Sequence, residues 1–249
     1  DPDYLDDPAI ADYLQSLWRP LMSAARERGD ISPELDAAFA WQLLQGRDRT
    51  VNAFALPGGY FGIHLGLVGV VSSKDELASV LAHELSHVTQ RHIARLISRQ
   101  SEQTPLLVGA MILGALAAST NPAGANAVIV GGQAVAAQSQ LNFSRDMERE
   151  ADRSGFEVAT KAGFSPVAFV SMFEKLQLTN RNNDAGSFPY LRSHPLTTER
   201  IADMKSRIPD GVDKVPSGSL EHSMVSARAR LLSNASVDGL RNWYSEAES

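Results

Sequence analysis

Two histidines four residues apart with a glutamate beside the first, His83-Glu84-Leu85-Ser86-His87, are the residues best placed to do chemistry in this sequence. On an α-helix, positions i and i+4 differ by about 40° in azimuth, so both imidazoles leave one face and can share a metal ion. Neutral imidazole nitrogen suits zinc, which in catalytic sites keeps three protein ligands and a fourth position for water. Glu84 lies beside the pair and is placed to take a proton from that water. The bland alternative is two packed histidines with a surface glutamate. A third protein ligand must come from elsewhere in the chain. Glu148-Arg149-Glu150-Ala151-Asp152 offers a carboxylate on a predicted helix, with Asp152 one turn beyond Glu148. There Glu148 could bind the metal while Asp152 accepts the second N–H of a ligand histidine and fixes its tautomer. Glu150 points about 200° away from Glu148 and reads as solvated. An ordinary charged helix face has the same pattern, so spacing alone leaves both readings open.

The elements that must hold these groups read mainly as helices. Residues 8–28 carry Ile10, Tyr13, Leu14, Leu17, Trp18, Leu21 and Met22 at helical spacing, with Pro20 off that stripe. Between residues 35 and 67 the period shortens to strand-like runs, 38–44, 51–56 and 60–65. Pro57-Gly58-Gly59 separates the last two as a turn, which predicts a small antiparallel sheet. A helix over 74–100 follows, opened by Ser73 and Glu76 in the form of a capping box. It carries the histidine pair. Further helices are expected over 144–162, ended by Gly163, from Pro166 onward, near 197–208 and, weakly, over 219–246. His92 lies about 180° from His83 on its helix and cannot join it at a metal. His64 and His222 have no ligand-like neighbours in sequence.

Residues 105–137 hold two apolar Gly/Ala-rich runs, 105–118 and 125–137, on either side of the turn signal Ser119-Thr-Asn-Pro-Ala-Gly124. Each run is shorter than the roughly 20 residues a membrane span needs. A buried helical hairpin is the plain expectation, and a mobile apolar lid or peripheral membrane contact the sharper one.

Composition bounds the function. The 249 residues carry a net charge of −6 without a dense basic cluster, which argues against a nucleic-acid partner. No cysteine is present, so disulfides and thiolate metal sites are excluded. A hydrophobic fraction of 43% with 21% charged residues fits a globular chain long enough to bury a core.

With these segments in view, the sequence resembles the gluzincin metallopeptidases of the CAAX prenyl protease and HtpX type. The longer strings are similar to the periplasmic BepA-type branch: His83-Glu-Leu-Ser-His-Val-Thr-Gln-Arg-His92, Glu148-Arg-Glu-Ala-Asp-Arg153, Asn52-Ala-Phe54 ahead of a Gly-Gly turn, and Ser193-His194-Pro195 with Glu199-Arg200. The resemblance runs over about residues 8–208. It implies an α+β, mainly α fold, a helical zincin-type domain over 1–210 with a small antiparallel sheet. Residues 211–249 would then be a helical extension, the lead-in to the repeat array that the branch carries.

By the resemblance His83, His87 and Glu148 hold one Zn2+ per chain, and Glu84 is general base and later general acid. His194 stabilises the oxyanion or reaches the metal itself, and Arg200 orients its segment through Glu148 or Asp152. Tyr60, Phe61, Gly62 and Ile63 would form an edge strand that pairs with extended substrate, although an internal strand fits the sequence equally well. The implied activity is endoproteolysis of extended or misfolded polypeptides in periplasmic outer-membrane protein quality control, with the outer-membrane assembly machinery as a partner. The rival is an assembly factor or chaperone with a latent, self-inhibited zinc site.

Overall fold

A computed structural model describes residues 4–117, 122–182, 189–212, 218–233, 241 and 244–245. Packing divides the chain into two compact units, Asp1–Thr89 with Ala151–Ser249, and Gln90–Glu150.

The larger unit opens with β1 (Tyr4–Leu5) and α1 (Pro8–Arg28). Asp7 caps α1 by accepting from the Ile10 N–H at 3.0 Å, and Gly29 ends it at φ 79°. The stripe expected to be apolar is buried, and α1 runs through Pro20 without ending. After α2 (Pro33–Ala38) come β2 (Gln42–Gly46), β3 (Ala53–Leu56) and β4 (Tyr60–His64), then α3 (Leu65–Val70). The strands make a sheet of order β1-β2-β4-β3. It is mixed, which corrects the antiparallel expectation, because β2 and β4 run parallel. The Pro57–Gly59 turn, with Gly58 and Gly59 at φ 87° and 80°, folds β3 back on β4, and β2 then takes the far side of β4. A second correction follows. Tyr60–Ile63 is interior, with both backbone edges paired, so it cannot accept a substrate strand. Within the sheet, the edges are β1 and β3.

The metal-binding motif sits on α4 (Lys74–Thr89), whose residues 75–86 are buried throughout. Ser73 accepts from the Glu76 N–H at 3.2 Å, as a capping box requires. The reciprocal bond goes to the Ser72 N–H at 2.7 Å, since Lys175 and Ser171 also hold the Glu76 carboxylate. The helix expected over 74–100 is two helices. It stops at Thr89, and α5 begins at His92 beyond Arg91, a non-glycine residue at φ 56°. Apolar spacing continues across the break, so periodicity does not reveal it.

The larger unit also holds the end of α6 (Pro122–Lys161), then α7 (Pro166–Asn182), α8 (Pro189–Ser193), α9 (Thr198–Ser206) and α10 (Leu220–Ser233). Gly155 lets α6 lie close against α4. A Cβ there would come within 3.0 Å of the His83 backbone nitrogen. α10 packs on α3 and α1, adding Val225 and Ala229 to the main core.

The smaller unit is α5 (His92–Ala117) with the first part of α6. The helical hairpin expected over 105–137 is there, but most of its described large apolar side chains are exposed, which corrects the buried expectation. Half of the turn signal, 119–121, lies outside the described residues. No helix among the described residues is long and apolar enough to cross a membrane.

Candidate metal and catalytic site

Three imidazoles meet above α4. His83 Nε2 lies 3.0 Å from His87 Nε2 and 3.3 Å from His194 Nδ1. His83, Glu84 and His194 are buried and His87 is half-buried. Helical spacing brings His83 and His87 together, as expected. His194 arrives from the short helix α8, where its N–H donates to the Tyr190 carbonyl at 2.8 Å and its ring stacks on Tyr190 at 4.6 Å.

The other side of His83 fixes its tautomer. His83 Nδ1 lies 3.0 Å from Asp152 Oδ1, on the neighbouring α6. An ionised carboxylate only accepts, so Nδ1 carries the proton and Nε2 presents its lone pair to the other histidines. Asp152 is in turn clamped by Arg200, with Nε to Oδ2 at 2.6 Å and Nη2 to Oδ1 at 2.7 Å. Burial would raise the Asp152 carboxyl, but the Arg200 guanidinium and His83 outweigh it and hold it below the ordinary range. Arg200 also donates to the Pro195 carbonyl at 2.7 Å, next to His194, and lies over the Phe173 ring. Of the two carboxylates foreseen for Arg200, Asp152 forms the bidentate pair.

Glu148, one turn before Asp152 on α6, completes a donor set. One ligand atom each from His83, His87, Glu148 and His194 lies within 4.8 Å of every other. Four ligands at zinc–nitrogen and zinc–oxygen lengths sit about 3.3 Å apart in a tetrahedron, and the measured histidine separations match that spacing. With Nδ1 protonated, His83 Nε2 offers a lone pair, and His87 in the matching tautomer would offer a second one to a shared cation. The donor set therefore fits a zinc ion. Glu84 lies at its rim, with Oε1 3.5 Å from His194 Nε2.

The remaining histidines serve packing, as expected. His92 Nε2 lies 3.2 Å from Glu150, which is not solvated as foreseen but shared with Arg95 at 2.6 Å. His222 bridges the Tyr13 hydroxyl and the Val71 carbonyl, and His64 meets the Thr50 hydroxyl. Sequence reasoning missed Tyr190 and Gly155. Tyr190 stands four residues before His194, so helical spacing from a site residue would have found it, whereas Gly155 carries no side chain to draw attention.

Comparison with known proteins agrees with this geometry. The sequence profile described as Peptidase family M48 matches residues 20–208. The beta-barrel assembly-enhancing protease of Escherichia coli strain K12 is 34% identical over 203 residues, which cover 82% of this chain and 40% of that protein. A Vibrio cholerae protein given that name provisionally is 33% identical over 247 residues, 98% of this chain and 49% of its own length. The mitochondrial metalloendopeptidase OMA1 of Saccharomyces cerevisiae is 27% identical over 202 residues, 79% of this chain and 55% of that one. The chain thus spans less than half the length of the two bacterial relatives. The profile covers most of the sequence and every residue of the donor set lies inside it, so the chain belongs to peptidase family M48.

Proposed function

We propose that this chain is a zinc-dependent endopeptidase acting on extended or misfolded polypeptides. The observation that carries the reading is the convergence of His83, His87, Glu148 and His194 beside Glu84. Zinc held there supplies a Lewis acid that lowers the pKa of water toward about 7 and polarises the scissile carbonyl. Glu84 takes a proton from the attacking water as the new C–O bond forms. It passes that proton to the leaving nitrogen as the C–N bond breaks, leaving a carboxylate and an amine. Asp152 and Arg200 keep the His83 lone pair aimed at the metal. His194, as fourth donor, holds the resting site closed.

The substrate strand fits β3 rather than β4. The His64 N–H donates to the Asn52 carbonyl at 3.0 Å. The antiparallel alternation then gives the same inward bonding to Phe54 and Leu56, so Ala53 and Ala55 direct their backbone groups to the outer edge. β3 packs beside α4, which places that edge next to the motif helix. An extended peptide added there would be held by backbone bonds with little demand on sequence. The names of the bacterial relatives support a place in β-barrel assembly, and we extend this to the periplasm and to contact with the outer-membrane assembly machinery. Residues 1–210 would form the peptidase body.

Metal analysis and a single substitution test the reading. Purified protein should hold about one zinc per chain, as a mononuclear site requires. Glu84→Gln keeps size and hydrogen bonding but removes the base. Zinc content should stay unchanged while cleavage of unfolded casein falls by about 10²-fold or more. Unchanged cleavage by Glu84→Gln would end the assignment of the base.

A further inference from the structure

We propose that the α5–α6 hairpin is a lipid-anchoring device that inserts its uncharged tip into the face of a bilayer carrying anionic headgroups. Residues 103–144 contain no Asp, Glu, Lys, Arg or His, in a chain where 21% of residues are charged. Among the described residues, most of the large apolar side chains of this stretch are not turned inward. Val108, Met111, Ile112 and Leu113 on α5, and Val128, Val130 and Val135 on α6, are each 43–63% exposed.

Their directions say what kind of neighbour they suit. Taking about 100° per residue, Leu113 lies some 140° from Val108 and 160° from Met111 around α5. Val130 lies about 200° from Val128 on α6, whereas Val135 shares the Val128 face. A flat protein partner needs one apolar stripe, but here the apolar groups ring both helices. The helices meet through small residues, where Ala110 approaches Gly132 so closely that a Cβ on the glycine would be 2.8 Å from it. Exposed apolar groups on the outside and small residues in the seam are the distribution expected of helices solvated by acyl chains.

Charge supplies the second observation. From the tip toward the base the hairpin passes from Val and Ile, through Gln138, Ser139, Gln140 and Asn142, to a collar of Arg91, Arg95, Arg99, Arg145 and Arg149. Arg95 and Arg99 lie over the Phe143 ring, an aromatic group at the level where headgroups would meet the helices. Five arginines against Glu102, Asp146, Glu148 and Glu150 give residues 90–150 one net positive charge, in a chain whose net charge is −6. A basic collar on an otherwise acidic protein favours anionic lipid and orients the tip toward it. The apolar part of each arm, 105–117 and 125–137, is about 20 Å long, short of the roughly 30 Å hydrocarbon core. The hairpin therefore enters the bilayer without crossing it.

Vesicle flotation of the whole chain tests this independently of any peptidase activity. The protein should float with phosphatidylcholine vesicles containing about one-third phosphatidylglycerol, and bind pure phosphatidylcholine more weakly. Raising the salt should weaken the anionic preference. Ile112→Asp with Val135→Asp, both at exposed positions, should reduce the bound fraction by about tenfold or more. The far-UV dichroism and the zinc content of the double variant should match the parent, which separates lost insertion from lost folding. A Trp placed by Ile112→Trp should shift to the blue and be quenched by brominated lipid. No flotation with either lipid, or a Trp that brominated lipid leaves unquenched, overturns the proposal. So does self-association in light scattering that the double variant abolishes while lipid binding is absent, since the ring would then be an interface between copies of this chain.

Discussion

His83 shows how much one residue of this site depends on groups that never touch a reacting atom. Its Nδ1 faces Asp152, and Asp152 is held at both oxygens by Arg200. Asp152→Asn turns an acceptor-only carboxylate into an amide that can present N–H, which loosens the tautomer control. Zinc affinity should fall by about 10- to 100-fold with the fold retained, read by competition with a chelator. His194 makes a different prediction. Its Nδ1 stands 3.3 Å from His83 Nε2 inside the four-donor set, so a zinc ion held by all four donors would keep no open position for water. His194→Ala should raise basal cleavage of an unfolded substrate several-fold. A fall of about 10²-fold or more would mean that His194 serves the oxyanion instead. His83, His87, Glu148 and Asp152 were legible in the sequence because helix geometry fixes i, i+4 neighbours, whereas His194 and Arg200 came from the family resemblance. The join between His83 and Asp152 was foreseeable only as a type of contact, since two helices must first be packed. Gly155, which permits that packing, offers no chemistry to notice.

At the scale of elements, local pattern located strands and could not order them. The turn at 57–59 was readable from Pro-Gly-Gly, and with it the antiparallel pairing of β3 and β4. That β2 would take the other side of β4 depends on where α1 and β1 lie, which no short window holds. For the same reason the sequence left Tyr60–Ile63 open between a substrate-pairing edge strand and an internal one. The observed order moves the free edge to β3 and makes a distinct prediction. Ala55→Pro removes an outward N–H while leaving the bonds to β4 in place. KM for an extended peptide should rise by about tenfold, with kcat changed much less and melting nearly constant. Equal losses in kcat and unfolding midpoint would show that the strand was broken and not the docking edge. The break at Arg91 hid for a related reason, because a positive φ of 56° at a non-glycine residue leaves no mark in the apolar period.

At the scale of the whole chain, the segment ahead of α1 is clasped to α10 within the larger unit. Asp7, ahead of α1, caps that helix and also receives Arg228 from α10, at 2.7 Å to one oxygen and 3.0 Å to the other. A few residues along, His222 ties Tyr13 to Val71. Nothing in the sequence pairs positions more than 200 apart, so this clasp appears only in the fold. The Arg228 hydrogen bonds hold the Asp7 carboxyl below its ordinary value of 3.8, against the opposing effect of burial, and the Ile10 N–H adds to them. The sign follows from linkage. A carboxyl whose folded pKa is depressed contributes its stability fully above the unfolded pKa, and loses it as pH falls through the folded one. Asp7→Ala, which loses cap and charge together, should cost about 1 kcal/mol or more at neutral pH. Asp7→Asn keeps a capping oxygen and loses only the charge. Its deficit relative to the parent should be constant from about pH 6 to 8 and should shrink as the pH drops below about 4, where the parent's carboxyl takes up its proton. Denaturant midpoints measured across that range decide the matter. A deficit that is the same at acid and neutral pH would mean that the clasp holds through shape and capping, with no contribution from the ion pair.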